Sequence, residues 1–157
     1  MSVEEAKILD DGSIVKDSSA AMKARRTDRQ TEILFRALSN RVASRWRFVS
    51  FRGLKGGEWC GIVDIIAIRK DTAKSDHEII KSGDLFEIIL VQMKGGSAKM
   101  PSGTEIQRLR AVAARYHAKE VVLFEWRPRE SQGIKTCCFS VLEGDSWSAS
   151  NAATIFG

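Results

Sequence analysis

The chain has 157 residues, 43% of them hydrophobic and 29% charged, with a net charge of +5. That size and balance fit one soluble globular domain with room for a core. No apolar run approaches the roughly 20 residues that a bilayer-spanning helix needs. The opening residues lack the basic start and apolar centre of a secretory signal, so a cytoplasmic protein with no membrane partner is expected. Three cysteines, with Cys137 and Cys138 adjacent, argue for reduced thiols and against a disulfide framework. The two histidines, His77 and His117, make no zinc-site spacing with them.

Positive charge is concentrated. Between Lys23 and Lys55 stand ten Lys or Arg residues against two acids, Asp28 and Glu32, a net of +8. Such a segment suits a polyanion, because displacing counterions from phosphates drives binding. A solvated helix face is the plain alternative.

In chain order, residues 1–22 read as a flexible arm, with one short strand over Ser13-Ile14-Val15. Residues 23–143 read as a single domain and 144–157 as a tail. Thr27 can cap a helix whose Ile33, Leu34, Ala37, Leu38 and Val42 recur at helical spacing. Glu32 lies four residues before Arg36, which an ordinary ion pair explains. Arg47 to Phe51 alternates as a first strand, and a glycine-rich loop to Trp59 follows. Cys60 to Ile68 and Leu85 to Gly96 are apolar, β-branched runs that predict two buried strands, joined by a long polar connection. A Gly/Ser/Lys loop leads to a cap at Ser102 or Thr104, then a helix over Glu105 to His117. Strands at Glu120–Trp126 and Lys135–Leu142 complete an α-β-β-β-α-β-β order, a mixed sheet with helices on its faces.

The two central strands carry polar residues where a buried strand should have none. Asp64 interrupts the first; Gln92 and Lys94 end the second. A charge inside a sheet needs a partner or a metal, since stranding it from water is costly. Gln92 and Lys94 are two apart and so leave one face of their strand. An acid facing Gln-x-Lys across adjacent strands has the character of a site. Glu87, five residues before Gln92, falls on the other face.

These residues and their setting resemble the PD-(D/E)XK, or restriction-endonuclease-like, nuclease superfamily. In that fold a helix precedes a three-stranded meander, and a helix and strand follow. Gly61-Ile62-Val63-Asp64 resembles the family's metal-binding element, and Gln92-Met93-Lys94 resembles its (D/E)-x-K. The resemblance spans roughly residues 27–126. Its nearest branches are the Mrr-type nucleases, in which Gln replaces the usual acid, and the archaeal Holliday-junction resolvases, whose first-helix Glu resembles Glu32. It implies an α/β restriction-endonuclease-like core and a Mg²⁺-dependent DNA endonuclease, with Mn²⁺ as a substitute ion and, by analogy, a homodimer. Asp64 would be the carboxylate ligand, with the Gln92 side-chain oxygen and the Met93 carbonyl completing the set and Glu32 adding a second carboxylate. Lys94 would orient or deprotonate water and stabilise the phosphate. Gln92 departs from the family's acid, and a neutral amide is the weaker cation ligand. A nuclease fold that only binds DNA, or a non-catalytic subunit of a complex, is therefore the alternative. Arg29, Arg52, Lys55, Trp59, Lys99, Gln107 and Arg108 are the candidate DNA contacts, the tryptophan by stacking; a solvated surface accounts for the charged ones as well.

Overall fold

A computed structural model describes residues 7–8, 14–15, 19–51, 61–128 and 135–157. Strands β1 (Lys7–Ile8) and β2 (Ile14–Val15) pair antiparallel. Helix α1 then runs Ser19–Ser39. It begins eight residues before the expected cap at Thr27. Ala20, Ala21, Met22, Lys23, Ala24, Arg25 and Arg26 are all strong helix formers, and Thr27 sits inside the helix with its hydroxyl donating to the Lys23 carbonyl.

Six further strands form one sheet in chain order: β3 (Arg47–Ser50), β4 (Ile65–Lys70), β5 (Phe86–Gly95), β6 (Glu120–Pro128), β7 (Lys135–Glu143) and β8 (Ser146–Ser150). All neighbours are antiparallel except β5 and β6, which are parallel. A parallel pair needs a crossover, and α2 (Gly103–Arg115) supplies it. The class is α/β with a mixed six-stranded sheet.

The segment read as a tail is instead structural. It forms β8 and a short helix, α3 (Ala152–Phe156), capped by Asn151, whose side chain accepts the Thr154 N–H at 2.9 Å. Ile155 and Phe156 are buried. The Phe156 ring meets Phe35, Phe48 and Trp46 edge-on. Serine-rich β8 carries little strand propensity of its own, so pairing with β7 decides its state.

Alternation along β5 divides the core. Ile89 and Val91 pack with Phe35, Phe124 and Phe156 under α1 and α3. Leu90 packs with Val121, Leu109 and Ile62 under α2. The two faces of the sheet are therefore covered by different helices.

Helix α2 ends in a left-handed residue, His117, at φ 51°. The Ala118 N–H reaches the Ala113 carbonyl and the His117 N–H reaches Ala114, the paired bonds of a Schellman ending. A side chain in that conformation is strained, and glycine relieves it. His117→Gly is expected to stabilise the fold by up to about 1 kcal/mol, a melting-point rise of roughly 2–4 °C. A thermal melt with no rise would show that the imidazole makes compensating contacts.

Candidate functional site at the head of β4 and tail of β5

Strand β4 begins at Ile65, one residue after Asp64, so the acid stands at the strand's head and not inside it. The cause is local. The Asp64 N–H donates to the Val91 carbonyl at 2.9 Å, and its own carbonyl accepts the Phe51 N–H at 3.2 Å. Its side chain then takes the next ladder position, with Oδ2 accepting the Met93 N–H at 2.6 Å. A carboxylate has replaced a backbone carbonyl, and the β4–β5 ladder ends there. The regular pairing stops at Ile65 and Val91, and the bonds to Val91 and Met93 set Asp64 beside the stretch from Val91 to Met93. A strand residue's N–H and C=O leave by the same edge, so the Met93 carbonyl also faces the Asp64 side.

Gln92 follows Leu90 on the α2 face. It is only 5% exposed, and its Oε1 has no hydrogen-bond partner among the described residues. A buried amide oxygen without a partner costs about 1–3 kcal/mol, and a cation or a water at this position would satisfy it.

Lys94 lies on the same face, and its Nζ meets Glu105 Oε1 at 3.1 Å. The sequence reading did not single out Glu105. Its signal was present: Ser102-x-x-Glu105 is a capping box. The Glu105 Oε2 accepts the Ser102 N–H at 2.7 Å, and the Ser102 hydroxyl accepts the Glu105 N–H at 3.3 Å. One carboxylate thus caps α2 and holds the Lys94 ammonium. The Ser102 N–H, and after it Lys94, keep that carboxyl below its ordinary value.

The other candidates are scattered. Glu32 lies on α1, which covers the opposite face of the sheet, and its Oε1 accepts from Arg36 Nε at 2.9 Å. Arg36 also reaches the Phe48 carbonyl. Arg29, Lys99, Gln107 and Arg108 are exposed. Gln107 lines a shallow groove with Arg110, Lys119 and Leu142, on the flank of α2 turned from Glu105. Arg52, Lys55, Trp59 and Cys60 lie outside the described residues. Glu87 belongs to the α1 face and the far end of β5, paired with Arg69 and, at 3.1 Å, with Lys119.

Two carboxyls at that far end titrate oppositely. Hydrogen bonding from Arg69 holds Glu87 below its ordinary 4.5, whereas burial pushes Glu120 above it, with Lys119 opposing and Glu87 adding to the rise. Glu87 therefore stabilises the fold above pH 4.5, and that contribution is lost as pH falls through its lowered native value. Glu120 has the reverse sign: the native state prefers it protonated, so stability falls as pH rises past 4.5. Its Oε2 has no partner among the described residues. Glu120→Gln is expected to raise the melting point at pH 7 by roughly 1–2 °C, solvent screening keeping the effect small. In melts across a pH series the gain should shrink toward pH 4.5. A gain independent of pH would show that ionisation is not its source.

The donor set suits a hard cation in kind: one carboxylate, one amide oxygen without a partner among the described residues and one main-chain carbonyl, all oxygen. Among the described residues, no three Asp, Glu, His or Cys side chains gather to hold a metal, and none of the described helices is long and apolar enough to cross a membrane. No protein-family description, curated protein or solved structure matches the chain.

Proposed function

We propose that the chain is a Mg²⁺-dependent endonuclease acting on DNA. One observation carries the reading: the Asp64 carboxylate is pinned on the Met93 N–H, next to Gln92, whose buried oxygen has no partner among the described residues, with Lys94 on the same strand face as Gln92. The order of elements supports it. Helix α1, the antiparallel meander β3–β4–β5, helix α2 and the parallel strand β6 follow as a restriction-endonuclease-like core requires, with the acid heading the second meander strand and Gln-x-Lys ending the third. The net +8 between Lys23 and Lys55 suits a phosphate polymer.

Asp64, Gln92 and the Met93 carbonyl would hold the cation. Bound there, Mg²⁺ would polarise the scissile phosphate and acidify its water. The chain's own residues do the rest. The Met93 N–H fixes which way the Asp64 carboxylate points. Lys94 places a positive charge where a phosphorane would build up negative charge, and Glu105 fixes that amine in place. Glu32, paired with Arg36 on the helix that covers the opposite face of the sheet, would not be among the ligands.

The test is incubation of the purified protein with supercoiled plasmid, linear duplex, single strand and a four-way junction, with and without Mg²⁺ or Mn²⁺. Metal-dependent cutting is the expected result, and the preferred substrate defines the selectivity. No cutting of any substrate with either metal overturns it.

A second reading has its own support. Gln92 is neutral, and Lys94 is already neutralised by Glu105. Both features fit a nuclease fold that binds DNA without turnover, alone or as a non-catalytic subunit. Salt-sensitive binding, unaffected by chelator and without cleavage, is its signature.

A further inference from the structure

The basic segment is continuous in sequence but divided in space. Gly95 and Gly96 lie against Thr31 and Thr27, so close that a Cβ on Gly95 would fall 2.0 Å from the Thr31 hydroxyl oxygen. Later residues of β5 meet earlier residues of α1. The helix therefore runs antiparallel to β5, and everything before Thr27 projects beyond the end of the strand. Ser19 to Arg26 extend about 12 Å at 1.5 Å per residue. This overhang passes the end of β5, at the end of the sheet that holds Asp64, Gln92 and Lys94.

Lys23, Arg25 and Arg26 are exposed on it, and Arg29 is exposed just after it. Asp28 is the acid among them. Arg41, Arg45 and Arg47 come after the helix or at the head of β3 and sit at the opposite end of the sheet. There Arg45 lines a small pocket with Arg69, Lys70 and Asp71. Among the described residues that run of charge thus falls into two patches, and only the first shares its end of the sheet with the candidate site.

We infer that the projecting N-terminal turns of α1 are a phosphate-binding arm that lies along the backbone of the DNA engaged at Asp64, Gln92 and Lys94. The inference rests on the DNA reading of that site and adds the surface that grips the polymer. Residues three and four apart on a helix are about 5–6 Å from one another, within side-chain reach of successive phosphates. The interaction uses side-chain charge and carries no sequence information, so it supplies affinity and position. A lipid surface fits less well: the outward face offers only Met22 and Ile33 as large exposed apolar residues.

The test compares two triple variants that lose the same charge, Lys23→Gln/Arg26→Gln/Arg29→Gln and Arg41→Gln/Arg45→Gln/Arg47→Gln. Binding to a duplex oligonucleotide is titrated without divalent metal over a range of NaCl, with circular dichroism confirming that each variant folds. Each released phosphate contact contributes about 0.9 to the slope of log K against log salt. The arm variant should lose roughly 2–3 units of slope, while the opposite-end variant keeps the wild-type value. Equal slopes in wild type and arm variant, or an equal loss in both triples, overturn the arm and leave the DNA reading standing. Sedimentation with anionic vesicles but no affinity for duplex overturns both.

Discussion

Asp64→Asn should abolish metal-dependent cleavage while leaving the protein folded. Asparagine keeps an oxygen that can accept the Met93 N–H, the contact that now lies at 2.6 Å, so the β4–β5 junction survives. What disappears is the charge, and Asp64 is the carboxylate that the proposed site would offer the cation. Losing the cation's electrostatic help costs several kcal/mol of transition-state stabilisation; at 1.36 kcal/mol per tenfold, about 4 kcal/mol is roughly a thousandfold in rate. Lys94→Ala should also lose cleavage, but it frees Glu105 from one of its two partners. Duplex binding measured without metal should persist in Asp64→Asn. Gln92→Glu, which adds a second carboxylate at a buried position, should tighten metal affinity by calorimetry. Wild-type cleavage by Asp64→Asn would remove this site from the chemistry.

Much of the sheet could be read from the residues because buried strands announce themselves. The β-branched runs around Ile65–Ile68 and Ile88–Val91 give the central pair, and Val121–Phe124 gives the parallel strand beside it. The pairing of an acid with Gln-x-Lys is also written in the chain, since period-two alternation puts Gln92 and Lys94 on one face whatever surrounds them. The apolar run from Cys60 predicts a strand passing through Asp64, but the strand starts only at Ile65: a carboxylate that mimics a ladder carbonyl ends the pairing, and an apolar pattern does not register that. The turns of α1 before Thr27 escaped because helix propensity, not an apolar stripe, builds them. Strand β8 and helix α3 escaped for the opposite reason; Ser146–Ser150 has little propensity to read, and the short helix rests on its Asn151 cap and on the burial of two residues, Ile155 and Phe156. Glu105 was overlooked because its two jobs look like one. As a capping-box glutamate it needs no further explanation, and only the fold reveals that it also reaches Lys94. The division of the basic segment between two ends of the sheet is likewise a fact of three dimensions, settled by where α1 turns into β3.

Gly95→Ala is expected to destabilise the protein by about 2–4 kcal/mol, among the larger effects a single methyl can have. The added Cβ would lie 2.0 Å from Thr31 Oγ1 and 3.1 Å from Thr27 Cγ2. Thr31 is 1% exposed and donates to the Thr27 carbonyl at 2.8 Å, so it cannot swing aside without breaking that bond inside a packed layer. Helix α1 would have to lift from β5, and Phe35, one turn further along, would lose contact with Phe124 and Phe139. The mechanism predicts its own rescue. Thr31→Ala removes the clashing oxygen and should by itself cost about 1 kcal/mol for the lost hydrogen bond. In the double variant the methyl occupies that space, so the two losses should fall well short of adding, with a coupling of roughly 1–3 kcal/mol by urea denaturation. Strict additivity would mean that the helix and strand do not meet through these two residues. The same contact sets where α1 leaves the sheet, so Gly95→Ala should also weaken duplex binding by displacing the arm, and Thr31→Ala in the same chain should restore it.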